Sequence, residues 1–117
     1  MASFLLLLHE EPNKFQALSP EEIQQIIGRY KTWREGLAQR NQLLGGEKLK
    51  DDGGRQMRSA GGEVSVTDGP YSEAHEVLGG FFMIQAADYD EAVEIARSCP
   101  HLELGQWIEV REVEQLH

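Results

Sequence analysis

Phe4-Leu5-Leu6-Leu7-Leu8 is a short, unbroken apolar run, closed by His9-Glu10-Glu11-Pro12-Asn13. A run of this length suits a strand covered on both faces; a helix would normally be longer. Along an extended chain Phe4, Leu6 and Leu8 point one way, and Leu5, Leu7 and His9 the other. Glu10 to Asn13 reads as the break that ends the strand. The run is far below the roughly 20 apolar residues that a membrane-spanning helix needs. No Lys or Arg precedes it and two acids follow it, so it does not read as a signal peptide either.

Ser19-Pro20-Glu21-Glu22 is a helix start. The Ser19 hydroxyl can accept the free amide of Glu22, and the Glu22 carboxylate can reach back to the amide of Ser19. Pro20 falls at the first helical position, where its missing N–H costs nothing. Ile23, Ile26, Ile27, Tyr30, Trp33 and Leu37 follow at helical spacing and predict a buried stripe about five turns long. Asn41 is a left-handed stop.

Leu43 to Leu49 predicts a second strand, and Arg55 to Ser59 a short one after the Lys50 to Gly54 turn. Glu63 to Thr67 alternates as a third major strand. Asp68-Gly69-Pro70-Tyr71 is a turn by composition. Gly79 to Ala86 reads as a core strand. Asp88 and Glu91 offer a second capping box, with Tyr89, Ala92, Val93 and Ala96 as the buried stripe of the helix that follows. Pro100 ends that helix. Gln106 to Val113 is the last strand, with Ile108 and Val110 on one face and Trp107, Glu109 and Arg111 on the other.

The order of strand, helix, strands, helix and strand is the split βαβ arrangement of a ferredoxin-like α+β sandwich. Residues 1–117 read as one domain, with no linker and no repeat. A net charge of −9 argues against nucleic acid and against an anionic membrane surface as partners. The lone Cys99 excludes an internal disulfide and a Cys-cluster zinc site, and fits a cytoplasmic protein. Two helices cover only one face of such a sheet. The other face would carry Leu5, Leu7, His9, Trp107, Glu109 and Arg111. A monomer rarely leaves so large an apolar surface in water, so the pattern predicts a homodimer with two sheets packed face to face.

Val66-Thr67-Asp68-Gly69-Pro70-Tyr71, followed by Ser72 to Glu76 and Leu78-Gly79-Gly80-Phe81-Phe82, resembles the DGPF branch of the YCII-related domain family. The Phe4 to Leu8 strand, the Ser19 helix start, Leu44-Gly45-Gly46-Glu47 and Ile108-Glu109-Val110-Arg111 match in place and order. The resemblance implies a ferredoxin-like subunit that pairs through its sheet into a dimeric α+β barrel. It also implies a site built on a histidine–aspartate pair in some members, and at least one member is a dehydrochlorinase of aromatic catabolism. Association with alternative sigma factors in the DGPF branch implies an accessory role in transcription regulation as the alternative. Here Tyr71 stands where Phe is usual. The first helix has no histidine, and Tyr30 occupies about the place where one would fall.

Asp68 and His9 are the candidate catalytic residues, a carboxylate and an imidazole able to move a proton near neutral pH. Each also has a plain structural reading: Asp68 as an Asx turn, His9 as a strand-end histidine. Tyr71, Tyr30 and Trp107 are candidate ligand-binding residues. Tyr30 at its helical spacing also suits the core, and Trp107 also suits an interface anchor. His75 lacks a second ligand at metal spacing, and His101 and His117 read as surface residues. The expectation is no metal and no cofactor. Proton transfer or elimination on a small cyclic molecule is the chemistry that such a site would support.

Overall fold

The computed structural model describes residues 1–15, 17–68 and 76–116. The candidate Tyr71, with His75, His117 and most of the Asp68 to Glu76 signature, lies outside the described residues.

Strand β1 (Ala2–Glu10) is central in a four-stranded antiparallel sheet of order β2-β5-β1-β6, with β2 at Leu43–Lys48, β5 at Val77–Ala86 and β6 at Trp107–Glu112. This is the strand order of the ferredoxin-like sandwich. The alternation in β1 holds: Phe4 and Leu6 are fully buried and Leu8 nearly so. They join Leu37 of helix α1 (Pro20–Gln39), Phe82 and Ile84 of β5, and Ala92, Ile95 and Ala96 of helix α2 (Tyr89–Arg97) in one core. The Trp33 ring stands edge-on to Phe82 at 5.0 Å. Both helices therefore cover the same face of the sheet.

The predicted caps form. Ser19 Oγ accepts from the Glu22 amide and the Glu22 carboxylate accepts from the Ser19 amide, each at 3.1 Å. Asp88 accepts from the Glu91 amide at 2.9 Å, but the second capping box does not close: Glu91 Oε1 accepts the Ala87 amide, at 3.4 Å, in place of the Asp88 amide. Asn41 takes a left-handed φ of 58° after α1. Gly46 is needed for a different reason. A Cβ there would lie 2.8 Å from the Phe81 carbonyl, closer than two strands allow.

Several expectations change. Glu63 to Thr67 does not enter the main sheet. Strands β3 (Arg55–Ala60) and β4 (Glu63–Asp68) pair only with each other, joined through Gly61 and Gly62, both at positive φ, as a two-residue hairpin turn requires. All twelve hairpin residues are exposed. In α2, Ile95 is buried, while Tyr89 and Val93 are more than a third exposed: the helix is rotated toward Ile95. The Tyr89 hydroxyl oxygen instead accepts the Glu112 amide at the strand edge, at 2.8 Å. Pro100 does not merely end α2; it opens a one-turn helix, α3 (Pro100–Glu103). Strand β1 runs on through Glu10, which keeps the alternation and turns to the helix side, 9% exposed. Of the predicted stripe of α1, Leu37 is buried and Ile26, Tyr30 and Trp33 are partly buried. Ile23 and Ile27 are exposed, because the first half of the helix stands away from the sheet.

Candidate functional site

That divergence opens a cleft of about 790 Å³ between the first half of α1 and the ends of β1, β2 and β5. Its wall is mostly apolar, with Leu8, Phe15, Ile26, Ile27 and Phe82. Its polar groups converge from separate elements: Glu10 from β1, Tyr30 and Arg34 from α1, Lys48 from β2 and His101 from α3. An apolar pocket with a few convergent polar groups is the usual form of a small-molecule site.

The Tyr30 hydroxyl lies 2.7 Å from His101 Nδ1, and His101 Nε2 lies 2.7 Å from the His9 carbonyl oxygen. A carbonyl can only accept, so Nε2 carries the hydrogen. Nδ1 of the neutral ring is then an acceptor, and the Tyr30 O–H donates to it. His101 is 1% exposed, which corrects its reading as a surface residue. Burial moves its pKa down from 6.5, against the opposing effect of the hydrogen bond it donates to the His9 carbonyl, so the ring is neutral at pH 7. Burial likewise raises the Tyr30 phenol far above its ordinary value, with the neighbouring acidic groups Cys99 and Glu10 adding to it. The pair is a fixed neutral hydrogen-bond chain.

Glu10 Oε1 is 3.7 Å from the Lys48 ammonium, which also holds Asp51 at 2.9 Å. Burial raises the Glu10 pKa above 4.5 by more than Lys48 lowers it. The space for this carboxylate comes from Gly79 on the neighbouring strand. A Cβ there would fall 2.0 Å from Oε1. The register shift between Leu8 and His9 sets this stretch of β1 and β5.

Of the residues expected at a site, Tyr30 lines this cleft and the other described ones lie elsewhere. His9 and Trp107 face each other across β1 and β6 on the uncovered side of the sheet, with their rings stacked at 4.0 Å and 8°. His9 Nε2 binds Glu109 Oε1 at 3.1 Å, and Arg111 binds the other oxygen of Glu109 at 3.2 Å. The hydrogen bond from His9 is the main cause holding Glu109 below the ordinary carboxylate range. Trp107 Nε1 donates to Glu76 at 3.1 Å. Asp68 ends the exposed hairpin, paired with Arg55 at 3.2 Å. No hydrogen bond or ion pair joins His9 to Asp68 within the chain.

Of the polar groups in the cleft, Glu10 and His101 depart most from what the sequence suggests. Glu10 carried a usable signal, since it continues the i, i+2 series Phe4, Leu6, Leu8. His101 carried none, because the direction of a one-turn helix is not written in a local pattern. Among the described residues no cluster of His, Cys, Asp and Glu could hold a metal ion, and no helix is long and apolar enough to cross a membrane.

Comparison with known proteins bears on the family and the fold. A 41-residue stretch, 35% of this chain and 33% of the relative, is 46% identical to an uncharacterised protein of Rhizobium meliloti (strain 1021). The chain thus matches about a third of that relative's length. Among solved structures, 5-chloro-2-hydroxyhydroquinone dehydrochlorinase from Burkholderia phenoliruptrix AC1100, in complex with 2,5-dihydroxybenzoquinone, shares the fold. Its TM-score is 0.56 at 15% identity, over 97% of this chain and 94% of that one. The family model for the YCII-related domain matches residues 2–117, and the chain belongs to that family.

Proposed function

We propose that the chain binds and transforms a small cyclic molecule, by acid–base chemistry, in the cleft between α1 and the sheet. One observation carries this reading. The Tyr30–His101–His9 hydrogen-bond chain ends in a mostly apolar cleft that also holds the buried Glu10 carboxylate. Because its O–H is committed to His101, Tyr30 presents its oxygen lone pairs to the cleft and can orient a ligand hydroxyl. The apolar wall suits a ring. The fold neighbour's complex with 2,5-dihydroxybenzoquinone makes hydroxylated rings the first class to screen.

The working unit in this proposal is a homodimer of the DGPF branch. The Asp68-Gly69-Pro70-Tyr71 signature supports the branch, and the partly exposed Leu5 and Leu7 with the exposed Trp107 on the uncovered sheet face support the dimer. His9 then braces Trp107 and Glu109 on that face, Asp68 closes the hairpin with Arg55, and neither supplies the proton transfer.

A thermal-shift screen over hydroxylated aromatics, lactones and muconate-like acids tests the proposal. A ring that stabilises the wild type, with stabilisation reduced in Tyr30→Phe, is the expected result. No ring binding, together with specific capture of a sigma factor, would overturn it in favour of an accessory role in transcription.

A further inference from the structure

We propose that Glu10 is the group that exchanges a proton with a hydroxyl of the bound ring; this rests on the cleft reading above. The β1 alternation sends Phe4, Leu6, Leu8 and Glu10 to the same side, so a carboxylate sits where the pattern calls for an apolar residue. Burying a charge is costly unless it is paired and hydrogen-bonded. The compensation here is partial. The Lys48 ammonium is beyond hydrogen-bond reach of Oε1 and is shared with Asp51. The fold nevertheless makes room for the carboxylate, with a glycine at position 79 where any Cβ would strike it.

The other polar groups of the cleft are poorer proton acceptors. Accepting a proton on His101 would create a buried imidazolium, and Tyr30 would have to ionise against burial. Arg34 and Lys31 from α1 and Lys48 from β2 are cations, while Glu47 and Asp51 lie toward the open rim and are exposed. Glu10 combines burial with an ionisable carboxylate in the cleft. Desolvation also brings its proton affinity closer to that of an acidic phenol, which favours transfer between them.

The step balances simply. The ligand O–H bond breaks and its electron pair stays on the ligand oxygen. The proton forms the O–H of the Glu10 carboxylic acid, and the negative charge passes to the ring. The cations of the cleft then face that oxyanion.

4-Nitrocatechol is a suitable probe, since its phenol and phenolate absorb at different wavelengths. The measurement is made at a pH where the free probe is mostly neutral. Wild-type protein should bind it with the phenolate band raised. In Glu10→Gln the bound probe should be left neutral. Infrared spectra of the wild type provide a second measurement that needs no variant: probe binding should raise a protonated-carboxyl stretch. Equal ionisation in both proteins, or no carboxyl band, would overturn the assignment while leaving the cleft reading intact. Failure of the probe to bind either protein would overturn both.

Discussion

Tyr30 and His101 are joined by a 2.7 Å hydrogen bond whose direction is set from the far side of the imidazole. The His9 carbonyl takes the Nε2 hydrogen, leaving Nδ1 free only to accept. The ring links α3 to β1 on one side and to α1 on the other, so it fixes the floor of the cleft. Tyr30→Phe removes the donor and strands a buried acceptor, which costs about 1–2 kcal/mol. Urea unfolding should show that loss as a lower midpoint with an unchanged slope. A midpoint equal to the wild type would mean that the bond contributes nothing.

The same buried ring predicts a pH dependence. His101 binds its proton less readily folded than unfolded, because burial moves its pKa below 6.5. Its contribution is therefore fully present above about pH 6.5 and is lost as the pH falls through that value toward the lower folded one. Glu10 acts with the opposite sign, in a window that opens at about 4.5. Its folded pKa is raised, so its contribution is present below about 4.5 and lost as the pH rises through the folded value. Urea midpoints taken from about pH 7.5 down to about pH 5.5 should fall, and His101→Gln should flatten that limb. An unchanged slope in His101→Gln would assign the dependence to other groups.

The sheet and its helices were legible because their signals are local. Phe4, Leu6 and Leu8 mark a covered face by alternation, and Ser19 with Glu22 marks a helix start within four residues. The site was much less so, since it arises where elements diverge. Ile23 and Ile27 continue a helical stripe that periodicity assigns to the core, yet they are exposed because α1 leaves the sheet at that end. Val64 and Val66 alternate like a core strand, but their hairpin stands outside the main sheet. Glu10 looks like a strand breaker by its charge, but its position in the alternation keeps it in the strand. Tyr30 was placed by its register in the helix, and its partner His101 is 71 residues away in sequence.

Gly79 and Glu10 should behave as a coupled pair. A methyl at position 79 would lie 2.0 Å from the Glu10 carboxylate, so Gly79→Ala must displace the side chain or spread the strands. The expected cost is about 1–3 kcal/mol. In Gly79→Ala with Glu10→Ala the obstruction is gone, and the double variant should recover about 1–2 kcal/mol relative to the sum of the single changes. Strict additivity in urea unfolding would show that the glycine serves another purpose.

Leu7 tests the uncovered face. It sits opposite Glu109 on β6, beside the His9–Trp107 stack, and its neighbours Leu5 and Trp107 are only partly covered. In the proposed dimer this patch lies at the centre, where truncating or charging an anchor typically costs 2 kcal/mol or more, roughly a thirtyfold change in affinity. Leu7→Glu adds a second carboxylate opposite Glu109 and places it in that centre. Sedimentation at micromolar concentration should therefore show a wild-type dimer and a folded Leu7→Glu monomer with unchanged far-ultraviolet circular dichroism. A monomeric wild type would remove the dimer from the proposal. The α1 cleft opens on the opposite side of the sheet, so ring binding by a folded monomer is expected to survive, which separates the two claims.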